Sequence, residues 1–481
     1  MSDVSREPLR GAHAPLAAPG PAAPEPAAPE LAVRQRARWP LLVAIAGVVT
    51  WYFAVNICLA HVLGDEMYHF PMVQALARGE SPPRKLPMPL TYHYVASFPV
   101  RIVAWVQGAG GSSPDVNLWA VRAFQATVAI AVLLLYRELI RLRHPEDGER
   151  RLLLFAWNPL VFPFFVLVYT DVASLAALLL AVYAHLRGRR GWACVALVAA
   201  CALRQSNLVW VACVATWRLV EALSALQSEA DTASKMAGRY GALLRAVLRE
   251  NLWVHVLIVA GAALFLYRWG GLVLSPDAGN QPAFNRAQLY LFGIVLAIVW
   301  LPRWGPAVVG NIRNAVIRPG TARRAAGSLL PGPVASELAV GAALGGAALA
   351  AVGLAGLYAN VHEWNQELTF LHNWPLRIMA DSRAAALAGA ALLVAFAAGQ
   401  FVLTRRSAAA GLLAMLWLFA IVFLLPHFPA DARYYIIPLV LLDFFTPYTP
   451  REVGRLAAWY AVLTTGVAAF VLSRPTVYGG L

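Results

Sequence analysis

The chain has 481 residues, of which 60% are hydrophobic and only 13% are charged. This balance excludes an ordinary soluble enzyme and predicts an all-α, polytopic transmembrane protein. The net charge of +14 would suit nucleic-acid binding, but the basic residues lie in short clusters between apolar runs and form no basic domain. The preference of basic residues for the cytoplasmic side of membrane helices explains these clusters, and we expect no nucleic-acid partner.

The N-terminal segment differs in composition from the rest of the chain. Residues 1–33 are rich in Pro and Ala and lack periodicity, which predicts a disordered cytoplasmic tail. Residues 34–481 then form a single transmembrane domain. Arginines at the start of this domain hold the N-terminus inside, and the first span is predicted at about Pro40 to Ala60.

The stretch after the first span, HVLGDEMYHFPMVQALARGE from His61 to Glu80, carries an acidic pair. Carboxylates are unfavourable in hydrocarbon, so Asp65 and Glu66 must lie at the interface or in a wet cavity, and the topology places them outside. Pro71 suits the first turn of a short helix that Gly79 would end. The apolar face of this helix would lie on the bilayer surface and comprises Phe70, Val73, Leu76 and Ala77.

The next apolar runs are predicted to cross the membrane in alternating directions. A span at about Leu118 to Leu139 ends in an arginine cluster and returns the chain to the cytoplasm. The run from Leu152 to Leu186 is long enough for two spans of about 20 residues each, with a polar break at Tyr169 to Asp171. Because arginines follow this run, the break is predicted on the outer side.

The segment from Trp192 to Val220 is apolar except for the sequence RQSN at residues 204–207. Both flanks carry basic residues, so an even number of crossings is required. We therefore predict two short, broken helices that meet at this sequence, an arrangement tolerated only where the freed backbone lines protein or a wet cavity. The position of Arg204 at the centre of an apolar run predicts a functional or pairing role.

Further spans bring the predicted total to about thirteen. They lie at about Leu252–Tyr267, Leu289–Leu301, Leu338–Tyr358, Ala384–Leu403, Gly411–Leu425, Tyr435–Phe445 and Leu456–Leu472. The arginine clusters between these spans fall on the cytoplasmic side. A set of histidines and acids falls on the outer side, so the polar chemistry is predicted there: His61, His69, His93, His362, His372, His427, Asp65, Glu66, Asp171, Glu363, Glu367 and Asp431.

The outer polar groups could serve a sugar transfer from a lipid phosphate. Such a transfer needs a base for the acceptor hydroxyl and cationic groups for the departing phosphate. Asp65 or Glu66 could be the base, and Arg204 or Arg433 could bind phosphate through the planar guanidinium. Structural alternatives remain open: the acidic pair as a solvated loop, Asp171 and Asn207 as helix caps, and Arg433 as an interfacial arginine beside Tyr434 and Tyr435.

Other mechanisms find less support in the sequence. HEWN at His362 is not an HExxH zinc site, because Gln366 stands where the second histidine would be. No GxxxxGK[ST] phosphate loop or dinucleotide fingerprint is present, so a cytoplasmic nucleotide site is not indicated. We predict that no cofactor is required, while the two acids leave a divalent metal open.

Five motifs, taken together and in this order, resemble those of a known family. They are GDEMYHFPMVQALARGE, NLWAVRAFQA, FPFFVLVYTDVAS, ALRQSNLVWV and ARYYIIPLVLLDF. The chain after residue 60 resembles the eukaryotic α-1,2-glucosyltransferases that add the terminal glucose to the dolichol-linked oligosaccharide. Membership would imply the integral-membrane GT-C glycosyltransferase fold, a polyprenyl-phosphate sugar donor and chemistry on the non-cytoplasmic face.

The resemblance assigns the acidic pair to Asp65 and Glu66. It also covers His69, Pro71, Gln74, Tyr169, Thr170, Arg204, Gln205, Asn207, Arg433 and Tyr434. Asp171 stands where the family carries an acid of either length. The region from His362 to Trp374 departs from the family's Asn-Arg-His-Tyr loop, which leaves the acceptor unassigned.

The resulting hypothesis is an inverting glycosyltransferase that moves glucose, or a similar hexose, from a polyprenyl-phosphate donor to a glycan or lipid-linked acceptor. Asp65 is the first choice for general base, and Glu66 would orient the acceptor or exchange roles with it. Arg204 and Arg433 would hold the donor phosphate. The remaining candidates would line the substrate cavity: His69, Gln74, Tyr169, Asp171, Gln205, Asn207 and Tyr434.

The Pro/Ala-rich tail and the Arg-rich composition are typical of a bacterial relative. We therefore expect a multi-pass protein in contact with lipid in a bacterial inner membrane, with a periplasmic site; a eukaryotic protein would lie in the endoplasmic reticulum with a lumenal site. The alternatives are transfer of another sugar such as mannose or arabinose by the same fold, and a transporter or flippase of lipid-linked sugars.

Overall fold

The computed structural model describes residues 39–82, 88–106, 117–230, 252–269, 286–317, 373–404, 409–426 and 431–473. It also describes residues 241, 244, 247–248, 346–347, 349–351, 353–358 and 407. Every regular element in these ranges is helical, which confirms the predicted all-α class. The predicted tail at residues 1–33 and about half of the span predicted at Leu338–Tyr358 lie outside the described residues.

The first half of the described chain contains eight α-helices, some separated by short 3₁₀ turns. They are α1 (Trp39–Cys58), α2 (Glu66–Arg78), α3 (Thr91–Val106), α4 (Leu118–Arg143), α5 (Leu152–Ala156), α6 (Thr170–Leu186), α7 (Arg190–Leu203) and α8 (Leu208–Ala230). The second half of the described chain continues with longer and shorter helices. They are α9 (Leu252–Trp269), α10 (Arg286–Val299), α11 (Leu301–Ile317), α12 (Asn373–Asp381), α13 (Arg383–Thr404), α14 (Ala410–Leu424), α15 (Ile436–Phe445) and α16 (Pro450–Ser473).

Fewer helices than predicted are long and apolar enough to cross a membrane. Within the described residues α1, α4, α13 and α16 qualify, and α10 with the first part of α11 makes a fifth if this pair, bent by 81°, is one span. Several other predicted spans form apolar helices of 10–17 residues, including α6, α7 and α14. About thirteen spans are therefore not confirmed, because many apolar runs fold into helices that are short for a bilayer.

The run from Leu152 to Leu186 shows why the predicted number is too high. Its first half contains only the short helix α5 and a 3₁₀ turn at Phe162–Phe165, and the regular helix α6 begins at Thr170. Pro159 and Pro163 each remove a backbone donor, which interrupts helical hydrogen bonding in this half. The predicted break at Tyr169 to Asp171 is confirmed as the start of α6.

The helix after the acidic pair also differs from expectation. Helix α2 begins at Glu66, with Asp65 at the N-cap, so Pro71 lies inside the helix rather than in its first turn. It ends at Gly79 as predicted; Gly79 has φ +76°, and its backbone N–H donates to the carbonyls of Ala75 and Leu76.

The apolar face of α2 is buried against protein rather than laid on the bilayer surface. Val73 and Ala77 pack with Tyr92, Ala96 and Val100 of α3 and nearby groups. Helix α3 in turn leaves large apolar side chains exposed, including Phe98 and Trp105. The exposed apolar face expected on α2 is therefore found on α3.

The predicted break at residues 204–207 is confirmed, but only α7 is short, since α8 has 23 residues. Helix α7 ends at Leu203 and α8 begins at Leu208, with a 3₁₀ turn at Gln205–Asn207 between them. Helix α15, whose residues are all buried, follows a similar 3₁₀ turn at Ala432–Tyr435. The candidate site is built from the turn before α2, the start of α6 and these two 3₁₀ turns.

Candidate functional site

The turn from Leu63 to Glu66 directs Asp65 toward the other candidate residues. Gly64 has φ +52°, a left-handed conformation that favours glycine. The backbone N–H of Asp65 donates to the Tyr169 hydroxyl at 2.7 Å, which fixes the turn to the start of α6. The Asp65 carboxylate forms an ion pair with Arg433 and keeps 32% of its side chain exposed.

Glu66 has the opposite environment, because its side chain is fully buried. Its Oε2 accepts from Arg122 Nη2 at 2.5 Å and from the Leu63 backbone N–H at 2.9 Å. Its Oε1 accepts from Arg122 Nε at 3.1 Å and from the Val168 backbone N–H at 2.8 Å. Both carboxylate oxygens are thus hydrogen-bonded within the protein. A group that orients an acceptor would be expected to face an open cavity, and the Glu66 side chain does not.

Arg122 also ties this region to the end of α1. Its guanidinium donates to the carbonyl oxygens of Leu59 at 2.8 Å and His61 at 2.9 Å. The Arg122 side chain is fully buried, and its five donors are suited to several acceptors in one plane. Arg122 and Glu66 therefore hold the end of α1, the start of α2 and the segment before α6 in one arrangement.

Arg433 is positioned by its own 3₁₀ turn as well as by Asp65. Asp431 caps this turn, since its Oδ1 accepts from the Arg433 backbone N–H at 3.0 Å. The Asp431 Oδ2 atom also forms an ion pair with Arg433 Nε at 2.7 Å. Burial opposes the positive charge, but Asp65 and Asp431 raise the pKa of Arg433 well above its ordinary value.

The charge state of Asp65 follows from its partners. Burial alone would raise the pKa of this carboxyl. The positive charge of Arg433, together with His69, the hydrogen bond from Arg433 and the charge of Arg204, lowers the pKa below its ordinary value. Asp65 is therefore ionised at neutral pH, which is the form that accepts a proton.

Arg204 contacts the same aromatic ring as Arg433. Its guanidinium carbon is 5.6 Å from the centre of the Tyr434 ring, and that of Arg433 is 5.3 Å from this centre. Arg204 forms an ion pair with Asp171, whose side chain is only 5% exposed. The two guanidinium groups thus share Tyr434 as a neighbour and bring together residues that are far apart in sequence.

His69 extends the cluster toward α3. Its Nδ1 atom is 2.9 Å from Nε2 of His93, and its ring centre is 5.7 Å from that of Tyr169. Burial lowers the pKa of His69 to about 4 and that of His93 to about 3. Both imidazoles are therefore neutral at physiological pH.

The amide candidates lie in three different places. Asn207 is fully buried, and its Nδ2 donates to Ser174 Oγ at 2.6 Å and to the Ala200 carbonyl at 2.7 Å. It joins the broken helix to α6 rather than lining a cavity. Gln205 is half-buried beside Arg204, and Gln74 is half-buried on α2.

Three contributors to the cluster were absent from the predicted site: Arg122, His93 and Asp431. The signal for Arg122 was a charged residue inside an apolar span, which predicts a buried partner. Asp431 lies two residues before Arg433, a spacing that suits an N-cap. No sequence pattern indicated His93 as the partner of His69, because that contact depends on how α2 packs on α3.

The acids of the cluster are each paired with an arginine. Within the described part of the chain, no group of three or more His, Cys, Asp or Glu side chains is arranged to hold a metal ion. The cluster instead places three carboxylates and two guanidinium groups around Tyr434. Such a set can bind an anionic phosphate and accept a proton.

Comparisons with known proteins place this geometry in context. Residues 61–338, more than half of the chain, match the model of the DIE2/ALG10 family. The chain is also similar to the Dol-P-Glc:Glc(2)Man(9)GlcNAc(2)-PP-Dol alpha-1,2-glucosyltransferase of Arabidopsis thaliana, with 28% identity over 190 residues. That similarity covers 36% of this chain and 37% of the plant protein, so it spans little more than a third of the relative's length. No solved structure matches.

Proposed function

The chain belongs to the DIE2/ALG10 family, and on that premise we propose that it is an inverting, polyprenyl-phosphate-dependent hexosyltransferase. The sugar is glucose or a similar hexose, and the acceptor is a glycan or a lipid-linked glycan. The observation that carries this proposal is the cluster in which one partly exposed carboxylate, Asp65, contacts an arginine that shares the Tyr434 ring with a second arginine.

Arg204 and Arg433 bind the phosphate of the donor. A guanidinium offers parallel N–H donors to phosphate oxygens, and it remains charged at any physiological pH. When the bond between the sugar and the phosphate breaks, negative charge develops on the departing phosphate. Two arginines beside Tyr434 stabilise that charge in the transition state more than in the ground state.

Asp65 acts as the general base in this mechanism. It takes the proton of the acceptor hydroxyl, while the acceptor oxygen forms a bond to C1 of the sugar from the face opposite the phosphate. The bond from C1 to the phosphate oxygen breaks, and its electron pair leaves with polyprenyl phosphate. The depressed pKa of Asp65 keeps the carboxylate ionised before the reaction.

Glu66 is a positioning residue in this proposal rather than a second base. Its carboxylate is occupied by Arg122 and two backbone N–H groups. Tyr169 is a positioning residue as well, because its hydroxyl holds the backbone of Asp65. Tyr434 contacts both phosphate-binding arginines and sets their separation.

The site faces the periplasm or the lumen of the endoplasmic reticulum in this proposal. Helix α1 follows an arginine-rich N-terminal flank, and helix α4 ends in Arg141 and Arg143, which both favour the cytoplasm. The turn that carries Asp65 lies between these two helices and is therefore on the opposite side.

The direct test uses the purified full chain and a polyprenyl-phosphate glucose labelled in the sugar. The acceptor is a lipid-linked glycan fraction from the source membranes. We expect wild-type protein to release polyprenyl phosphate in step with transfer of label to the acceptor. Transport of the intact donor across proteoliposomes, without release of polyprenyl phosphate, would contradict the proposal and favour a flippase.

A further inference from the structure

Arg433 is paired with two carboxylates of different kinds. Asp431 belongs to the same 3₁₀ turn, where it caps the backbone N–H of Arg433 and contacts its Nε atom at 2.7 Å. Asp65 comes from the turn before α2, 368 residues away in the sequence. One partner is local and bonded to the backbone, and the other is brought in by the fold.

The cluster contains more negative than positive charge. Among the described residues, Asp65, Asp171 and Asp431 pair with two guanidinium groups, those of Arg204 and Arg433. A phosphodiester that entered this cluster would add a fourth anion beside the same two cations. Because like charges at contact distance are unfavourable in a partly desolvated site, one carboxylate must give up its arginine.

The exposures of the three carboxylates indicate which of them moves. The side chain of Asp171 is 5% exposed, whereas that of Asp65 is 32% exposed. Asp431 is intermediate in exposure, but its Oδ1 atom is held by a backbone N–H. The Asp65 carboxylate makes no such capping bond, although the residue stands at the N-cap of α2. Asp65 can therefore leave Arg433 without disturbing a helix or a turn.

We propose, on the basis of the function above, that Arg433 exchanges Asp65 for the donor phosphate, while Asp431 stays in place as the positioning residue of the guanidinium. In the absence of donor the base is neutralised by the arginine that will bind phosphate. When the donor binds, its phosphate pairs with Arg433 and the Asp65 carboxylate is released.

The exchange links donor binding to activation of the base. Arg433 lowers the pKa of Asp65 while the two are paired, and a carboxylate with a lowered pKa is a weak proton acceptor. Once phosphate occupies Arg433, a nearby cation is neutralised and a nearby anion is added, and both changes raise the pKa of Asp65. The acceptor hydroxyl thus meets an effective base only after the donor is bound.

Binding of polyprenyl phosphate and of polyprenyl-phosphate glucose to the purified full chain tests this exchange. Removal of the competing carboxylate by Asp65→Asn or Asp65→Ser should tighten binding about tenfold, which corresponds to about 1.4 kcal/mol. Asp431→Ser keeps a capping oxygen for the turn but removes the charge beside Nε, and it should weaken binding about tenfold. Asp381→Asn removes an exposed carboxylate paired with Arg377 and serves as the matched control, with unchanged affinity.

The outcomes separate this proposal from the proposed function. If wild-type protein binds and turns over the donor but both Asp65 variants bind polyprenyl phosphate no more tightly than wild type, the exchange is wrong and the transferase function stands. An unchanged or tighter affinity of Asp431→Ser would overturn the positioning role of Asp431, because it would show that its carboxylate acts only as a competing anion. If wild-type protein binds neither lipid and turns over no donor, the proposed function itself fails.

Discussion

Two adjacent carboxylates in this protein have opposite environments. Asp65 is partly exposed and contacts Arg433, whereas Glu66 is fully buried against Arg122. At the start of a helix, consecutive side chains point in directions about 100° apart, so one can enter a cavity while the next enters the core. The sequence predicted an acidic pair at the site but could not distinguish these roles, because they depend on the burial of Arg122.

A double-mutant cycle on Glu66 and Arg122 tests the structural role of this pair. Each single change, Glu66→Gln or Arg122→Met, leaves a buried partner without its counter-charge, and we expect a loss of about 3–5 kcal/mol in the free energy of unfolding. The double variant removes both charges and should lose less than the sum of the two single changes. Thermal unfolding in detergent measures these differences.

Activity of the stable variants completes this test. If Glu66 only positions the turn, the fraction of Glu66→Gln that remains folded should keep the ionisation behaviour of Asp65, with a reduced rate and the same pH profile. A changed pH profile of Glu66→Gln would show instead that Glu66 takes part in the chemistry. Additive effects of the two changes on stability would contradict the direct coupling of Glu66 with Arg122.

The buried histidine pair predicts how stability depends on pH. His69 and His93 have ordinary pKa values of 6.5 when unfolded, and burial lowers these to about 4 and about 3 in the folded protein. Below pH 6.5 the unfolded chain binds protons that the folded chain does not, so stability falls as the pH is lowered. Each imidazole contributes up to about 1.4 kcal/mol per pH unit in the window from 6.5 down to about 4.

The variant His93→Gln tests this dependence, because it keeps a hydrogen-bonding partner for His69 but does not titrate. We expect unfolding midpoints of this variant to fall less steeply than those of wild type between pH 6.5 and 4.5. Above pH 6.5 the two proteins should show parallel behaviour. Equal slopes below pH 6.5 would mean that His93 is not held neutral in the folded state.

At the level of whole elements, the broken helix was the feature that the sequence predicted best. A polar RQSN sequence between two apolar runs indicated the break, and the structure has a 3₁₀ turn there between α7 and α8. The apolar length of the run from Leu152 to Leu186 did not indicate the interruptions at Pro159 and Pro163, because hydrophobicity is insensitive to the loss of backbone donors. The burial of α2 against α3 was also missed, since α3 itself was not predicted.

Asn207 holds the broken helix in place and offers a test at this scale. Asn207→Ala removes hydrogen bonds to Ser174 Oγ and to the Ala200 carbonyl. Each such bond contributes about 1 kcal/mol net, so we expect a lower unfolding temperature and a raised KM for the donor, because Arg204 adjoins the loosened turn. Thermal unfolding and donor kinetics measure the two effects.

A matched control is available further along α8. Thr216→Val removes a hydroxyl bond to the Ala212 carbonyl that lies away from the turn, and it should leave the KM for the donor unchanged. The pair Asn207→Ala and Ser174→Ala should be less than additive in stability, since both break the same bond. A KM for Asn207→Ala equal to that of wild type would contradict a link between this turn and Arg204.

At the level of the whole molecule, the site joins segments that are far apart in the sequence. The residues Asp65, Asp171, Arg204 and Arg433 come from four different elements, and the family resemblance predicted each of them. What the sequence could not supply was their pairing: Asp65 with Arg433, Asp171 with Arg204, and both arginines with Tyr434. Such pairings depend on how helices pack, which composition and spacing do not determine.

The predicted topology can be tested by the accessibility of single cysteines. In a background without the four native cysteines, Glu80→Cys should react with a membrane-impermeant thiol reagent from the non-cytoplasmic side, because Glu80 is exposed and lies in the loop that the predicted topology places outside. Arg150 is exposed as well, and Arg150→Cys should react only after the membrane has been permeabilised. Labelling of both positions from the same side would contradict the topology.

The central claim is that Asp65 takes the proton of the acceptor in a transfer from polyprenyl-phosphate sugar. The most direct measurement is the single-turnover rate of sugar transfer at saturating labelled donor by wild type, Asp65→Asn and the control Asp381→Asn. A general base contributes typically about 10²–10⁴-fold, so we expect Asp65→Asn to lose at least about 100-fold in rate, with the donor still bound and the control unaffected. A folded Asp65→Asn protein that transfers sugar at the wild-type rate would contradict the account.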